Sequence, residues 1–243
     1  MRFRHIAAGL TVFSLNFAAH AVVYNYTDTT FNNADWIGVK YADTSTPTGS
    51  FSAAQVNTGG SALLPGPQTP DYREISHTFG GPGAGAIVVT HQGVNFNWSP
   101  LPLETANSVD YSYDLQFFST VNFGAVGFAP AIFQGGNVYR LNTYDNIFSP
   151  TNGWVRFSGA GIPLTSFNQV DASNASILPG TPNGSLAMSF GFVSANSANQ
   201  PSQLKISGID DFRATLNTTV VPEPTTLMSI ACAGLLLRRR QGK

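Results

Sequence analysis

From Val109 to Phe117 the chain reads VDYSYDLQF, with Val109, Tyr111, Tyr113, Leu115 and Phe117 alternating against Asp110, Ser112, Asp114 and Gln116. Successive side chains of a strand point to opposite faces, so this run has one apolar and one polar face only when extended. Wound as a helix, the same residues would scatter apolar groups around the whole circumference. LAMSFGFV repeats the pattern, with Leu186, Met188, Phe190 and Phe192 facing one way, and NVYRLNTY, GWVRFSG and AIVVTH are further strand candidates. No long segment combines a 3.6-residue apolar period with capping residues. Turn-rich stretches separate the strands: ADTSTPTGS, NTGGSALLPGPQTP, FGGPGAGA and SANSANQPSQ. Strand spacings of about 8 to 15 residues predict an all-β fold, an antiparallel two-sheet sandwich of jelly-roll type forming one domain.

Composition agrees and excludes several classes. Charged residues make up 10% of the chain, against about 25% in ordinary soluble domains. Six of the basic residues lie in the terminal segments. The remaining six, Lys40, Arg73, Arg140, Arg156, Lys205 and Arg213, face twice as many acids. An acidic domain of this kind argues against nucleic acid as a partner. Cys232 is the single cysteine and lies near the C-terminus, so the central domain has neither a disulfide scaffold, nor a cysteine zinc site, nor a thiol nucleophile.

The two ends read as processing segments. Arg2 and Arg4 precede an apolar run from Ile6 to Ala19, and Ala19-His20-Ala21 is a small-x-small site. This is a signal peptide over residues 1–21, cleaved after Ala21. At the other end Thr225 to Leu237 carries no charge. As a helix it would span roughly 20 Å, short of the roughly 30 Å of a hydrocarbon core. Arg238, Arg239 and Arg240 follow it and would stay on the cytoplasmic side. Pro222-Glu223-Pro224 precedes it and holds the backbone extended, outside any helix. An open peptide beside a weak transmembrane helix suits a membrane protease. Pro222, Glu223, Pro224, the apolar run and Arg238 to Arg240 together resemble the PEP-CTERM sorting signal of Gram-negative bacteria. The resemblance implies an exosortase, a membrane-embedded cysteine transpeptidase, as processing partner. It also implies a transient inner-membrane stage, then export to the cell surface or extracellular matrix. The expected organisation is a signal peptide at 1–21, a β-sandwich at 22–216, a spacer at 217–221 and the sorting signal at 222–243.

The order VDYSYDLQFF, IFQGGNVYRL, GWVRFSG, PLTSF and ISGIDDFRATL is similar to extracellular lectin-like and carbohydrate-binding-module-like sandwiches that carry such a tail. That similarity implies the sandwich fold and a ligand-binding role, with extracellular polysaccharide as the ligand class.

Candidate chemistry is sparse. Gly80 to Gly85 precedes a strand, not a helix, and lacks the Lys-Ser/Thr pair of a phosphate loop. Gln134-Gly135-Gly136-Asn137 reads as a tight hairpin turn, with a sugar-contacting loop as the alternative. His77 and His91 have no Gly-x-Ser-x-Gly or second ligand motif near them and read as solvent-facing strand residues. Glu74, Glu104, Asp110, Asp114, Asp145 and Asp171 are scattered, and a glycosidase needs two carboxyls within about 10 Å. No catalytic residue is therefore assigned. Asp210-Asp211 near the end of the domain could meet the N-terminal segment, where Asp28, Asn32 and Asp35 would complete a set of oxygen ligands for calcium. Otherwise no cofactor is expected. Trp36 and Trp154 read as core, whereas Trp98, beside a proline-rich loop, is the candidate stacking platform for a sugar. The reading is an exported, non-enzymatic protein that binds extracellular polysaccharide. A purely structural matrix or display protein and a carbohydrate-active hydrolase are the alternatives.

Overall fold

The computed structural model describes residues 19–45, 48–63, 70–79, 85–118, 126–147, 153–174, 176–198 and 203–221. Most of the signal peptide, the glycine-rich segment at 80–84 and the whole sorting signal lie outside these residues. No helix among the described residues is long and apolar enough to cross a membrane.

The chain forms two antiparallel sheets. The six-stranded sheet has β10 (Val155–Pro163), β6 (Glu104–Phe117), β14 (Leu204–Val220), β4 (Tyr72–Thr78) and β3 (Ser50–Val56) in that order, with β1 (His20–Asp28) also beside β14. The eight-stranded sheet runs β12 (Ile177–Leu178), β11 (Phe167–Val170), β8 (Asn137–Leu141), β7 (Val126–Gln134), β13 (Met188–Ala198), β5 (Gly85–Trp98) and β2 (Trp36–Asp43). There β9 (Asp145–Ile147) pairs with β7.

The alternation of β6 is realised. Val109, Tyr111, Tyr113, Leu115 and Phe117 are all buried between the sheets, opposite Phe128, Ile132, Phe190 and Phe192 of the other sheet. In LAMSFGFV only Met188 onward is strand; Leu186 sits in the preceding turn and is exposed. At the centre of the core, Trp36 stacks on Phe31 at 5.2 Å and meets Phe212 edge-on at 5.5 Å. β14 continues to Val220, hydrogen-bonded to β6 on one side and β1 on the other. Residues 217–220 are thus structural strand and not the spacer the sequence suggests. Gly135 and Gly136 take φ of 59° and 81°. Two consecutive positive φ values are the signature of the two-residue hairpin turn expected between β7 and β8.

Candidate functional site: a curled sheet face

The eight-stranded sheet buries apolar residues on both of its faces. Ile132, Phe190 and Phe192 point into the main core. Their neighbours Ala131 and Val193, together with Ala42, Val88, Val138 and Val170, form a separate buried cluster on the outer face. Tyr41, Phe133 and Tyr144 pack against this cluster and are half-buried.

A bulge explains Tyr41. β2 pairs Lys40 with Val89 and then Ala42 with Val88, leaving Tyr41 as the extra residue. A bulge re-aims a side chain and increases local twist. The Tyr41 hydroxyl donates to the Val170 carbonyl oxygen at 3.2 Å. Val170 lies on β11, five strand spacings from β2, which on a flat sheet is about 24 Å. A tyrosine cannot reach that far. The sheet therefore curls until its two sides approach, and its outer face is the inside of a trough.

The middle of the trough is filled, with Val193 and Val170 buried beneath the Tyr41 contact. It opens at both ends. One end is a polar depression of about 330 Å³ lined by Gln92, Ser189, Phe133, Gln134 and Asn137. Gln92 Nε2 donates to Ser189 Oγ at 2.7 Å, and the Gln134-Gly135-Gly136-Asn137 hairpin forms the wall. The other end is a depression of about 220 Å³ lined by Val88, Gly127, Tyr144, Asn146 and Ser197. Ser189 and Ala195 mark the two ends along β13, about 20 Å apart at strand rise. The Arg140 guanidinium sits 4.0 Å from the centre of the Tyr144 ring and donates through Nη1 to the carbonyls of Leu141 and Asn142. Burial lowers the Arg140 pKa and raises that of Tyr144. The lining combines amides, hydroxyls and aromatic rings with small apolar groups such as Val88, and such groups pack against and hydrogen-bond neutral polar ligands.

The residues singled out from sequence lie elsewhere. Trp98 is 2% exposed at the end of β5, with Tyr24 edge-on at 6.3 Å. A ring so buried offers no face to a sugar, so Trp98 belongs to the core with Trp36. Replacing Trp98 with alanine is expected to cost about 3–5 kcal/mol of stability. It should leave the affinity of the folded fraction for any ligand unchanged, as read by urea unfolding beside a binding isotherm.

The carboxylates considered for calcium do not converge. The terminal strands do meet, with Asp28 opposite Phe212, but Asp28 turns toward its own loop. Its Oδ1 accepts from the backbone N–H groups of Thr30 and Phe31 at 2.8 and 2.9 Å, and its Oδ2 from Trp36 Nε1 at 2.6 Å. Those bonds hold Phe31 at a positive φ of 48°. Asp35 ends a short turn and accepts from Asn95 Nδ2 at 3.4 Å. Asp210 and Asp211 lie on the outer side of the six-stranded sheet beside Asp114, under the loop that carries Ser61. Among the described residues no group of three or more His, Cys, Asp or Glu is arranged to hold a metal.

Both histidines are fully buried, not solvent-facing. They face each other across the sandwich through Ser194, whose Oγ lies 3.1 Å from His91 Nε2 and 3.2 Å from His77 Nε2. Tyr41, Tyr144 and Arg140 were missed from sequence. Arg140 falls on the same strand face as Val138, a period-2 signal that could have placed it. Nothing in the sequence marks the bulge at Tyr41.

No family model and no curated protein matches the chain. Among solved structures, a family 11 carbohydrate-binding module of a cellulosomal cellulase of Clostridium thermocellum is 16% identical, with TM-score 0.44 over 79% of this chain and 95% of that one. The same organism's family 11 module in complex with a β-1,3-1,4-mixed-linked tetrasaccharide is 14% identical, with TM-score 0.43 over 82% and 96%. A carbohydrate-binding module that recognises mannan is 10% identical, with TM-score 0.37 over 81% and 98%. The overlap is loose at these values and says nothing of this chain's trough.

Proposed function

We propose that this chain is an exported, non-enzymatic polysaccharide-binding protein whose ligand is held at the open ends of the trough of the eight-stranded sheet. The observation that carries the reading is the trough itself: aromatic and amide side chains line both of its open ends. A hydrolase would need two carboxyls reachable by substrate. Asp114, Asp210 and Asp211 do lie together, but all are at most 1% exposed and Asp114 and Asp211 bind Arg156.

Export and sorting belong to the same proposal. They rest on Ala19 and Ala21 at the start of the first strand and on the motif Pro222-Glu223-Pro224 with Arg238 to Arg240. The Val221 N–H donates to the Leu103 carbonyl at 3.1 Å, so the motif starts one residue after a backbone bond to the folded body. An exosortase-type enzyme would work close against that body.

The test is co-sedimentation of the domain from Val22 to Val221 with the producing organism's extracellular polysaccharide. Saturable depletion is expected, and Tyr144→Ala should weaken it about tenfold, or 1.4 kcal/mol. Absence of depletion would leave a matrix or display role. Depletion unchanged by Tyr144→Ala and Gln92→Ala would move the site off the trough.

A further inference from the structure

A second polar place lies between the free edges of the sandwich, away from the trough. β2 ends the eight-stranded sheet and β3 ends the six-stranded one. Behind them, Arg73 of β4 and His91 of β5 point into the interior, 3% and 0% exposed. Arg73 Nε and Nη1 and His91 Nδ1 are buried without a hydrogen-bond partner. The two side chains converge on Gly38, which pairs with His91 across the strands. A Cβ at Gly38 would lie 3.6 Å from His91 Nδ1, 3.7 Å from Arg73 Nη2 and 3.3 Å from the Phe51 ring. Glycine leaves a methyl-sized gap there, and Gly38 and Phe51 are themselves half-buried.

The hydrogen-bond chain through the core fixes what His91 presents there. Asn196 Nδ2 lies against His77 Nδ1 and, as the amide donor, makes that nitrogen an acceptor. The His77 proton then sits on Nε2 and is donated to Ser194 Oγ. Ser194 Oγ–H in turn is donated to His91 Nε2. The remaining proton of neutral His91 is therefore on Nδ1, aimed at Gly38 beside the guanidinium. The three side chains nearest the spot present two donors, one of them a cation, and an apolar ring edge. Asp28 is the carboxylate whose field Arg73 feels, but its oxygens are engaged by Thr30, Phe31 and Trp36. Burial lowers the Arg73 pKa to about 10, which still leaves it charged at neutral pH.

We propose that the space facing Gly38, between Arg73 and His91, binds a small monovalent anion such as chloride. A buried guanidinium without an acceptor is costly, and a halide satisfies several converging donors at once. A water molecule would bring two hydrogens of its own to a place where the nearest polar groups are donors.

The test is thermal and urea unfolding of the full chain in sodium chloride or bromide against sodium gluconate at matched ionic strength. A ligand bound only by the folded state raises the midpoint with the logarithm of its concentration, so a rise of several degrees is expected in halide alone. Gly38→Ala places a methyl in the spot while both donors stay, and it should abolish the halide dependence. Arg73→Met should abolish it as well. Crystals grown in bromide should show an anomalous peak between Arg73 and His91. Equal midpoints in the two salts would overturn the site, as would halide dependence that survives in both variants.

Discussion

Replacing Arg156 with methionine is expected to destabilise the domain by about 3–5 kcal/mol at pH 8, the cost of leaving buried charge unpaired. Arg156 holds Asp114 through Nε and through Nη2, the latter at 2.7 Å, and reaches Asp211 at 3.4 Å. The two carboxylates are 0% and 1% exposed, and Asp210 beside them is 1% exposed. Ser61 caps the group, its N–H donating to Asp210 at 2.6 Å and its hydroxyl to Asp114. Methionine keeps the bulk and removes the charge, so packing is not the main loss. The sign of the pH dependence identifies the cause. Burial pushes the Asp211 carboxyl up, Asp114 adds to that and Arg156 works against it. Without the guanidinium its folded pKa rises further above the unfolded value. A carboxyl so raised loses stability as pH climbs from the unfolded pKa toward the folded one. The deficit of the variant should therefore shrink markedly at pH 5, and Asp114→Asn in the same chain should recover much of it. Urea unfolding at the two pH values decides. A deficit that is the same at both, or below 1 kcal/mol, would mean that the cluster is not held by charge.

That cluster also shows how far the sequence could be read. The alternation of β6 correctly put Asp114 on the face away from the core. Period-2 logic assigns a face, however, not an exposure, and the segment carrying Ser61 folds back over this one. Asp210-Asp211 reads from sequence as a candidate calcium-ligand pair meeting the N-terminal segment, and the terminal strands do meet. What the pair binds was not legible, because its partners Arg156, Ser61 and Asp114 come from three distant stretches. Trp98 was judged by the prolines that follow it, whereas its burial follows from β5 being long enough to carry it to the end of the core. The trough was out of reach for a similar reason. Its curl depends on a one-residue bulge at Tyr41, and a bulge leaves the hydropathy pattern almost intact. The fold class, by contrast, followed from repeated local alternation and from glycines such as Gly135 and Gly136, whose effects are confined to a few residues.

Acid should unfold the domain over the range where most carboxylates are still ionised, because two neutral histidines are sealed between the sheets. The His77 pKa is pushed down to about 3, first by burial and then by the nearby Lys205. His91 is held well below its ordinary value by burial, with Arg73 and His77 adding to it. A base whose folded pKa is depressed leaves the protein fully stable above its unfolded pKa of about 6.5 and weakens it as pH falls toward the folded value. Each histidine contributes about 1.4 kcal/mol per pH unit across that window. Asp210 opposes them: burial raises its pKa to about 7, so its share of stability grows as pH falls from 7 toward 4. Burial raises Asp211 and Asp145 as well, so three carboxyls offset part of the histidine loss, and a net loss smaller than the sum of the two histidine slopes is expected between pH 6.5 and 4. Asp43 and Glu104, where burial is outweighed by hydrogen bonds from Ser45 and Thr218, lose their share only at still lower pH. His77→Gln keeps groups able to bond Ser194 and Asn196 but cannot take up a proton. Its stability should therefore fall less steeply with acid than that of the parent, even if it is lower at pH 7. Urea unfolding at half-unit steps from pH 7 to pH 4, in one salt throughout, measures both slopes. A flat profile in both parent and variant would mean that the histidines reach solvent. Equal falling slopes in parent and variant would place the acid sensitivity in the carboxylates.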